Sequence, residues 1–305
     1  NSKRILSFYI ISILINIKFK KNSKKSFYFL CLIIISSYLL GYKTRSFVAN
    51  KIYYPIRNSM HKLVKEEVKY EKVKCPSSSL QIATFGQSNS TNTVKPKNSI
   101  EIPNNLYQFD WESGNCFKYK EPLMAVGREE GNVITYTAIK FAKELKKNII
   151  VIPFGVGGSS ILSWTYGDLS YHHELVLNKI QEKNFSPNVF FWHQGETDIK
   201  SKYSLGLREI TYKEALQRIL DKTKDYFPDT YFGIALVSKC VNKNLWMPVR
   251  NAQQEVIRNN KKTFMSADSD SIDYRYDGCH FNAKGAKEIG ERYYHAYNKF
   301  INTIF

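Results

Sequence analysis

From about residue 80 the chain alternates between two hydrophobic rhythms. Compact apolar runs of strand length occur at 80–85 (LQIATF), 148–155 (NIIVIPFG), 188–194 (NVFFWHQ), 231–239 (YFGIALVSK) and 263–268 (TFMSAD). The run at 148–155 is apolar almost without interruption, as expected of a strand covered on both faces. Between these runs lie segments whose apolar positions recur every three or four residues, the spacing of a helix face. They occupy 132–147, 172–183, 212–227, 248–260 and 283–300. In the first, Val133, Tyr136, Ile139, Ala142 and Leu145 share one side, and Pro228 closes the third. Strand and helix alternate about five times. That order predicts an α/β fold, a doubly wound and mainly parallel sheet flanked by helices, with right-handed crossovers.

The first part of the chain follows neither rhythm. Ser26–Tyr42 is an uncharged apolar run of 17 residues, near the lower limit for a bilayer-spanning helix. Lys18, Lys20, Lys21, Lys24 and Lys25 precede it, against Lys43 and Arg45 behind it. The positive-inside rule then keeps the lysine cluster cytoplasmic and exports the C-terminal remainder of the chain. The expected organisation is an N-terminal apolar helix and membrane anchor over 1–45, a polar stalk over 46–74 and a single domain over 75–305. Its localisation would be extracytoplasmic, or secreted if the segment is cleaved as a signal peptide. "LLGYKTRSF" offers no clean small-x-small cleavage site, which favours the anchor.

Charge changes the picture less than its size suggests. The net charge is +18, but nine of the 45 Lys and Arg lie in residues 1–45, where there is no Asp or Glu. The remaining 36 basic and 27 acidic residues form no arginine-rich stripe or nucleic-acid motif, so no nucleic-acid partner is expected. Outside the apolar run, Cys75, Cys116, Cys240 and Cys279 allow two disulfides or none, with three pairings open. No Cys-x-x-Cys occurs, which argues against a zinc ribbon or a thioredoxin-like site.

In doubly wound folds ligands gather at the carboxyl ends of the strands. Four loops there carry chemistry: Phe85-Gly86-Gln87-Ser88-Asn89, Gly155-Val156-Gly157-Gly158-Ser159-Ser160, Trp192-His193-Gln194-Gly195-Glu196-Thr197-Asp198, and Asp277-Gly278-Cys279-His280 before the last helix. A serine hydroxyl needs a base within hydrogen-bond reach, and the base needs an orienting group. Asp277 and His280, three residues apart, can supply both to Ser88. Backbone N–H groups of Ser88 and a loop glycine suit an oxyanion, and the Gln194 amide can add a donor without charge.

These blocks, in this order over about 78–298, resemble the SGNH hydrolase superfamily, which has a flavodoxin-like three-layer architecture. The branch they resemble is that of the sialate O-acetylesterase and acetylxylan-esterase-like carbohydrate esterases. The resemblance implies Ser88 as nucleophile, His280 as base, Asp277 as its orienter, and Ser88, Gly158 and Gln194 as the oxyanion hole, with Gly157 the alternative to Gly158. Gln87, Asn89, Glu196 and Asp198 would be supports. It implies hydrolysis of O-acetyl or other short acyl esters on a carbohydrate partner, without cofactor or metal. Two departures stand out: Gln194 occupies the place of the superfamily's usual asparagine, and Gly-Gly-Ser-Ser stands where Gly-Gly-Thr-Ser is common. Transfer of the acyl group to a sugar hydroxyl, or glycan binding without catalysis, are the competing functions; oligomeric state is left open.

Other features read as structural. His172-His173 is expected at a solvated helix start, without a third ligand at metal-binding spacing. Gly155–Ser160 lacks the lysine of a phosphate loop, and 268–273 (DSDSID) lacks the turn glycine and terminal Glu of a calcium loop. Trp164 and Tyr166 could stack on a sugar or serve packing.

Overall fold

A computed structural model of the chain describes residues 68–97, 100–198, 202–205, 208–240 and 245–304. The expected anchor and most of the stalk lie outside these residues. Among the described residues no helix is long and apolar enough to cross a membrane.

The described residues form ten strands: β1 (Lys72–Val73), β2 (Ser79–Gly86), β3 (Leu106–Asp110), β4 (Asn115–Lys118), β5 (Asn148–Gly155), β6 (Val189–His193), β7 (Lys202–Leu205), β8 (Arg208–Thr211), β9 (Tyr231–Leu236) and β10 (Thr263–Asp268). Eight of them build one sheet in the order β1-β4-β3-β5-β2-β6-β9-β10, while β7 and β8 pair as a separate hairpin. From β3 to β10 all neighbours are parallel; β4 runs antiparallel to both β3 and β1. The helices are α1 (Ile134–Leu145), α2 (Ile161–Thr165), α3 (Leu169–Glu182), α4 (Tyr212–Tyr226), α5 (Met247–Arg258) and α6 (Ala283–Ile304).

Alternation along the central strands divides the core in two. Ala83, Phe85, Ile150, Ile152 and Phe154 face one layer with Val176, Leu177, Leu216, Ile219 and Val249 of α3, α4 and α5. Ile82, Ile149 and Val151 face the other, with Ile134, Ala138 and Phe141 of α1 and Ile289, Tyr293 and Tyr297 of α6. This is the three-layer α/β arrangement that the two rhythms predict, and both faces explain why β5 is apolar throughout. Each fully buried Leu, Ile or Phe removes apolar area worth about 1.5–3 kcal/mol from water.

Register decides where the loops meet. β2 pairs with β5 over its whole length, ending Gly86 against Gly155, and with β6, ending Gly86 against His193. Three chemistry-bearing loops therefore leave the sheet at one level.

Several elements escape the sequence pattern. The β3–β4 hairpin extends the sheet, and β1 joins it three residues ahead of Cys75, where the stalk was expected to end. The four cysteines pair as Cys75–Cys116, which staples this edge, and Cys240–Cys279. α3 begins at Leu169, so His172 and His173 lie within it. The expectation of a solvated pair fails for His173, which is fully buried between Phe85 and Trp164. Trp164 is a packing residue: its ring meets Phe154, Trp192 and His173, and its indole N–H donates to Ser159 Oγ. Asp268 and Asp270, in the segment set aside as a calcium loop, are salt-bridge partners of Arg250.

Candidate active site

The opening loop is built on a close approach. A side chain at Gly86 would put its Cβ 2.0 Å from the His193 carbonyl oxygen, so only glycine lets β2 and β6 end this tightly. Gln87 N–H then donates to His193 O at 3.0 Å, and Val156 N–H to Gly86 O at 3.0 Å, lacing the first loop to its two neighbours. Ser88–Ser90 form a single 3₁₀ turn. The hydroxyls of Thr91 and Thr93 donate to Ser88 O at 2.7 and 2.9 Å. Ser88 is thus held by its backbone, while its own hydroxyl enters no hydrogen bond with the described residues.

Asp277 and His280 lie in hydrogen-bond contact. His280 Nδ1 lies 2.7 Å from Asp277 Oδ2, and Asp277 Oδ1 accepts from the N–H groups of His280 and Cys279 at 2.7 and 2.9 Å. Partial burial works to raise the Asp277 pKa, but the bonds from the His280 ring and these N–H groups outweigh it and hold the carboxyl below its usual 3.8. Tyr276 stacks on the imidazole at 5.9 Å between centroids.

What connects this pair to Ser88 is Asn89. Its Nδ2 donates to Cys279 O at 3.2 Å and to Glu196 Oε1 at 2.8 Å, so one amide joins the first, third and last loops. Among the described residues no hydrogen bond joins Ser88 Oγ to His280; a nucleophile–base contact need not be closed before the reacting complex forms. Glu196 is buried, and its carboxylate also lies 3.3 Å from His193 Nε2, whose other nitrogen meets Tyr293 O–H at 2.7 Å. Burial acts to raise the Glu196 pKa, yet the bonds from His193, Asn89 and its own backbone leave it below the usual 4.5.

On the other side, the glycine loop faces the serine. A Cβ added at Gly157 would lie 3.8 Å from Ser88 Cβ, and Gly158 (φ +68°) has open space around it. The N–H groups of Ser88, Gly157 and Gly158 donate to no backbone carbonyl among the described residues. Asp198 fixes this loop from below, accepting from Ile161 N–H at 3.0 Å at the start of α2.

Gln194 departs from its expected role. It is fully buried, its Oε1 accepts from Tyr212 O–H at 3.0 Å, and its Nε2 faces Ser159 O at 3.1 Å, Gln87 Oε1 at 3.2 Å and the Asp198 carboxylate. Two amide protons already meet three acceptors, so in this arrangement the side chain braces the loops and leaves no proton for an oxyanion. Gln87 takes the complementary part, its Oε1 also accepting from the N–H groups of Gly195 and Thr197 at 3.3 Å.

Two participants went unnoticed in the sequence. Arg275 donates to Ser269 O at 2.8 Å, to Ile272 O at 3.1 Å and to Cys279 O, so it fixes the main chain just before His280. His193 links Glu196 to α6 through Tyr293. His193 stands inside the Trp-His-Gln-Gly-Glu block and was within reach of a motif reading; Arg275 had no such signal. Among the described residues no group of three His, Cys, Asp or Glu side chains converges as a metal cage would require.

A serine, a paired histidine and two glycine N–H groups with no backbone acceptor among the described residues thus lie on loops at one sheet rim. Residues 81–299 match the carbohydrate esterase, sialic acid-specific acetylesterase family. The chain belongs to this family. It is therefore a carboxylic ester hydrolase of the SGNH carbohydrate esterase branch. A search of curated proteins returns no match. Among solved structures, the esterase domain is similar to a protein from Arabidopsis thaliana, with 16% identity and a TM-score of 0.58 over 73% of this chain and 99% of that one. It is also similar to a carbohydrate acetylesterase from Xanthomonas citri, with 16% identity and a TM-score of 0.51 over 72% of this chain and 56% of the other. At such identities the two structures speak for the fold of this esterase, and the family match for its class.

Proposed function

We propose that the protein is a serine esterase that removes O-acetyl groups from a carbohydrate by double displacement through Ser88, His280 and Asp277. The observation that carries this reading is the Asp277–His280 pair, bonded at 2.7 Å and coupled through Asn89 to the loop that holds Ser88. Asp277 keeps the proton on Nδ1, which leaves His280 Nε2 as the acceptor. Ser88 Oγ gives its proton to that nitrogen and attacks the ester carbonyl. The N–H groups of Ser88 and Gly158 receive the oxyanion, with Gly157 as the neighbouring alternative. The protonated imidazole then passes its proton to the departing sugar oxygen. Water, deprotonated by the same nitrogen, releases acetate from Ser88. Asn89, Glu196, Asp198, Gln87 and Gln194 hold the three loops in register. The sugar class rests on the family's description and on the carbohydrate acetylesterase among the structural neighbours. The two disulfides support an oxidising, extracytoplasmic location.

The test is acetate release from a panel of O-acetylated sialic acids and neutral sugars, wild type beside Ser88→Ala. Release that disappears in the variant, with an unchanged melting temperature, supports the reading. Release that persists, or acetyl transfer to an added sugar in preference to water, overturns it.

A further inference from the structure

The residue before the base is held at every polar group it has. Cys279 N–H donates to Asp277 Oδ1 at 2.9 Å, and its carbonyl accepts from Asn89 Nδ2 at 3.2 Å and from the Arg275 guanidinium. Its sulfur is bonded to Cys240. The far end of that covalent tether is itself anchored. The N–H groups of Ser238 and Lys239 donate to Asp270 Oδ1 at 3.1 and 2.8 Å, and Ser238 Oγ donates to Asp270 Oδ2 at 2.9 Å. Asp270 is buried and bonded to Arg250 Nη1 at 2.7 Å. A rigid platform at the end of β9 thus reaches, through one disulfide, the main chain adjoining His280.

The need for such a tether is visible in the geometry. The loop from 269 to 282 carries both Asp277 and His280, and Asp277 is 40% exposed. The pair's internal hydrogen bonds fix the imidazole relative to Asp277 but not relative to Ser88. Cys279 contributes to that second relation through its carbonyl, held by Asn89 and Arg275, and through its sulfur, bonded to Cys240, alongside the buried Phe281 on the far side of His280. We propose that the Cys240–Cys279 disulfide is a positioning element of the catalytic base, setting the distance between His280 and Ser88, so that opening it slows the chemistry while the fold persists. This rests on the serine mechanism proposed above. Opening by a small dithiol is balanced: the Sγ–Sγ bond breaks, each sulfur gains a hydrogen, and the dithiol closes into its own cyclic disulfide. Cys240 is half-buried and offers the approach, while Cys279 is buried.

The experiment uses the full chain in two forms. One carries Cys240→Ser with Cys279→Ser; the other carries Cys75→Ala with Cys116→Ala, keeping Cys240–Cys279 as the disulfide to be opened. Acetyl-enzyme formation from p-nitrophenyl acetate is followed at the first turnover, where the burst amplitude counts working sites and the burst rate reports chemistry per site. For the first variant the expected result is a burst rate down about tenfold to a hundredfold, the scale of an ångström-sized misplacement. Its amplitude and KM should be nearly unchanged. In the second form a dithiol should lower the burst rate by the same factor, and reoxidation should restore it. A reduced amplitude at an unchanged rate would show that the disulfide serves stability alone and would overturn the proposal, as would an unchanged rate and amplitude. If Cys240→Ser/Cys279→Ser fails to fold, reversible reduction of the second form decides by the same criteria. If the wild type shows no burst, acylation limits turnover and kcat/KM per folded molecule is compared by the same criteria; ester hydrolysis that survives Ser88→Ala would instead refute the serine mechanism itself, a separate and recognisable failure.

Discussion

Replacing His173 by leucine should make the domain markedly less sensitive to acid. The imidazole is fully buried against Phe85 and Trp164; Thr223 Oγ1 lies 3.3 Å from its Nε2, and its Nδ1 has no partner. Burial first, and the charge of Lys222 second, push its pKa from 6.5 down to about 3. The folded state therefore keeps His173 neutral, whereas the unfolded chain takes up a proton as pH falls through 6.5. Because the unfolded state binds more protons, stability is complete above that value and falls below it. At about 1.36 kcal/mol per unit, the loss between neutral pH and about pH 4.5 is about 2.7 kcal/mol. A folded pKa one unit higher would change this by only about 0.1 kcal/mol, since at pH 4.5 the folded histidine would still be mainly neutral. Leucine has no proton to take up. It also removes an unsatisfied buried nitrogen, and Thr223 Oγ1 keeps its 2.8 Å bond to Ile219 O. At pH 7 the variant should thus be as stable as wild type, within about 1 kcal/mol. Urea denaturation followed by tryptophan fluorescence, with disulfides intact, gives the free energy across this pH range. Parallel wild-type and His173→Leu curves from neutral pH to 4.5 would refute the reasoning.

Three other outcomes follow from the geometry. Asp277→Asn should lower kcat by about 10²–10⁴ while leaving the fold intact. Since the wild-type carboxyl is held below its usual 3.8, no step from its own titration should appear in the wild-type pH–rate profile above about pH 5. Gly86→Ala, with its Cβ 2.0 Å from His193 O, should yield no folded enzyme, whereas Gly158→Ala should fold. The latter should lose about 1–2 kcal/mol for a side chain at positive φ, measurable in thermal melts, and lose kcat as the backbone relaxes. Trp164→Ala should cost about 3–5 kcal/mol in denaturant, yet leave KM for acetylated sugars unchanged for each folded molecule, because the indole packs inward.

The sheet and its larger helices were legible because burial on two faces writes itself into composition: 148–155 could hardly be other than a central strand. The β3–β4 hairpin was not, since its strands are four and five residues long, with polar Gln108, Asp110 and Asn115 among them. Only pairing with β5 and the Cys75–Cys116 bond makes them strands. For the candidate site, local spacing and the strand-end rule pointed to Ser88, Asp277 and His280, and the structure pairs Asp277 with His280 and links them to the serine loop through Asn89. Glu196 and Asp198, in one block, contact Asn89 and Ile161 N–H respectively. The state of the Gln194 amide was not legible, because the Ser159 carbonyl that occupies it comes from 35 residues away. Nor was the burial of His173: beside His172 and Glu174 it reads as polar surface, and only packing under Trp164 reverses that.

The edge strand β1 has an effect beyond the site. A sheet whose outermost strand leaves backbone groups unpaired invites another extended chain to continue the ladder. Here that border is only Lys72–Val73, a charged and a small apolar residue, and the Cys75–Cys116 bond fastens the segment to β4. Among the described residues this border offers a neighbouring molecule only a short ladder to extend. Opening the staple should loosen this border, so protein stored under reducing conditions is expected to aggregate sooner than protein with the disulfide closed.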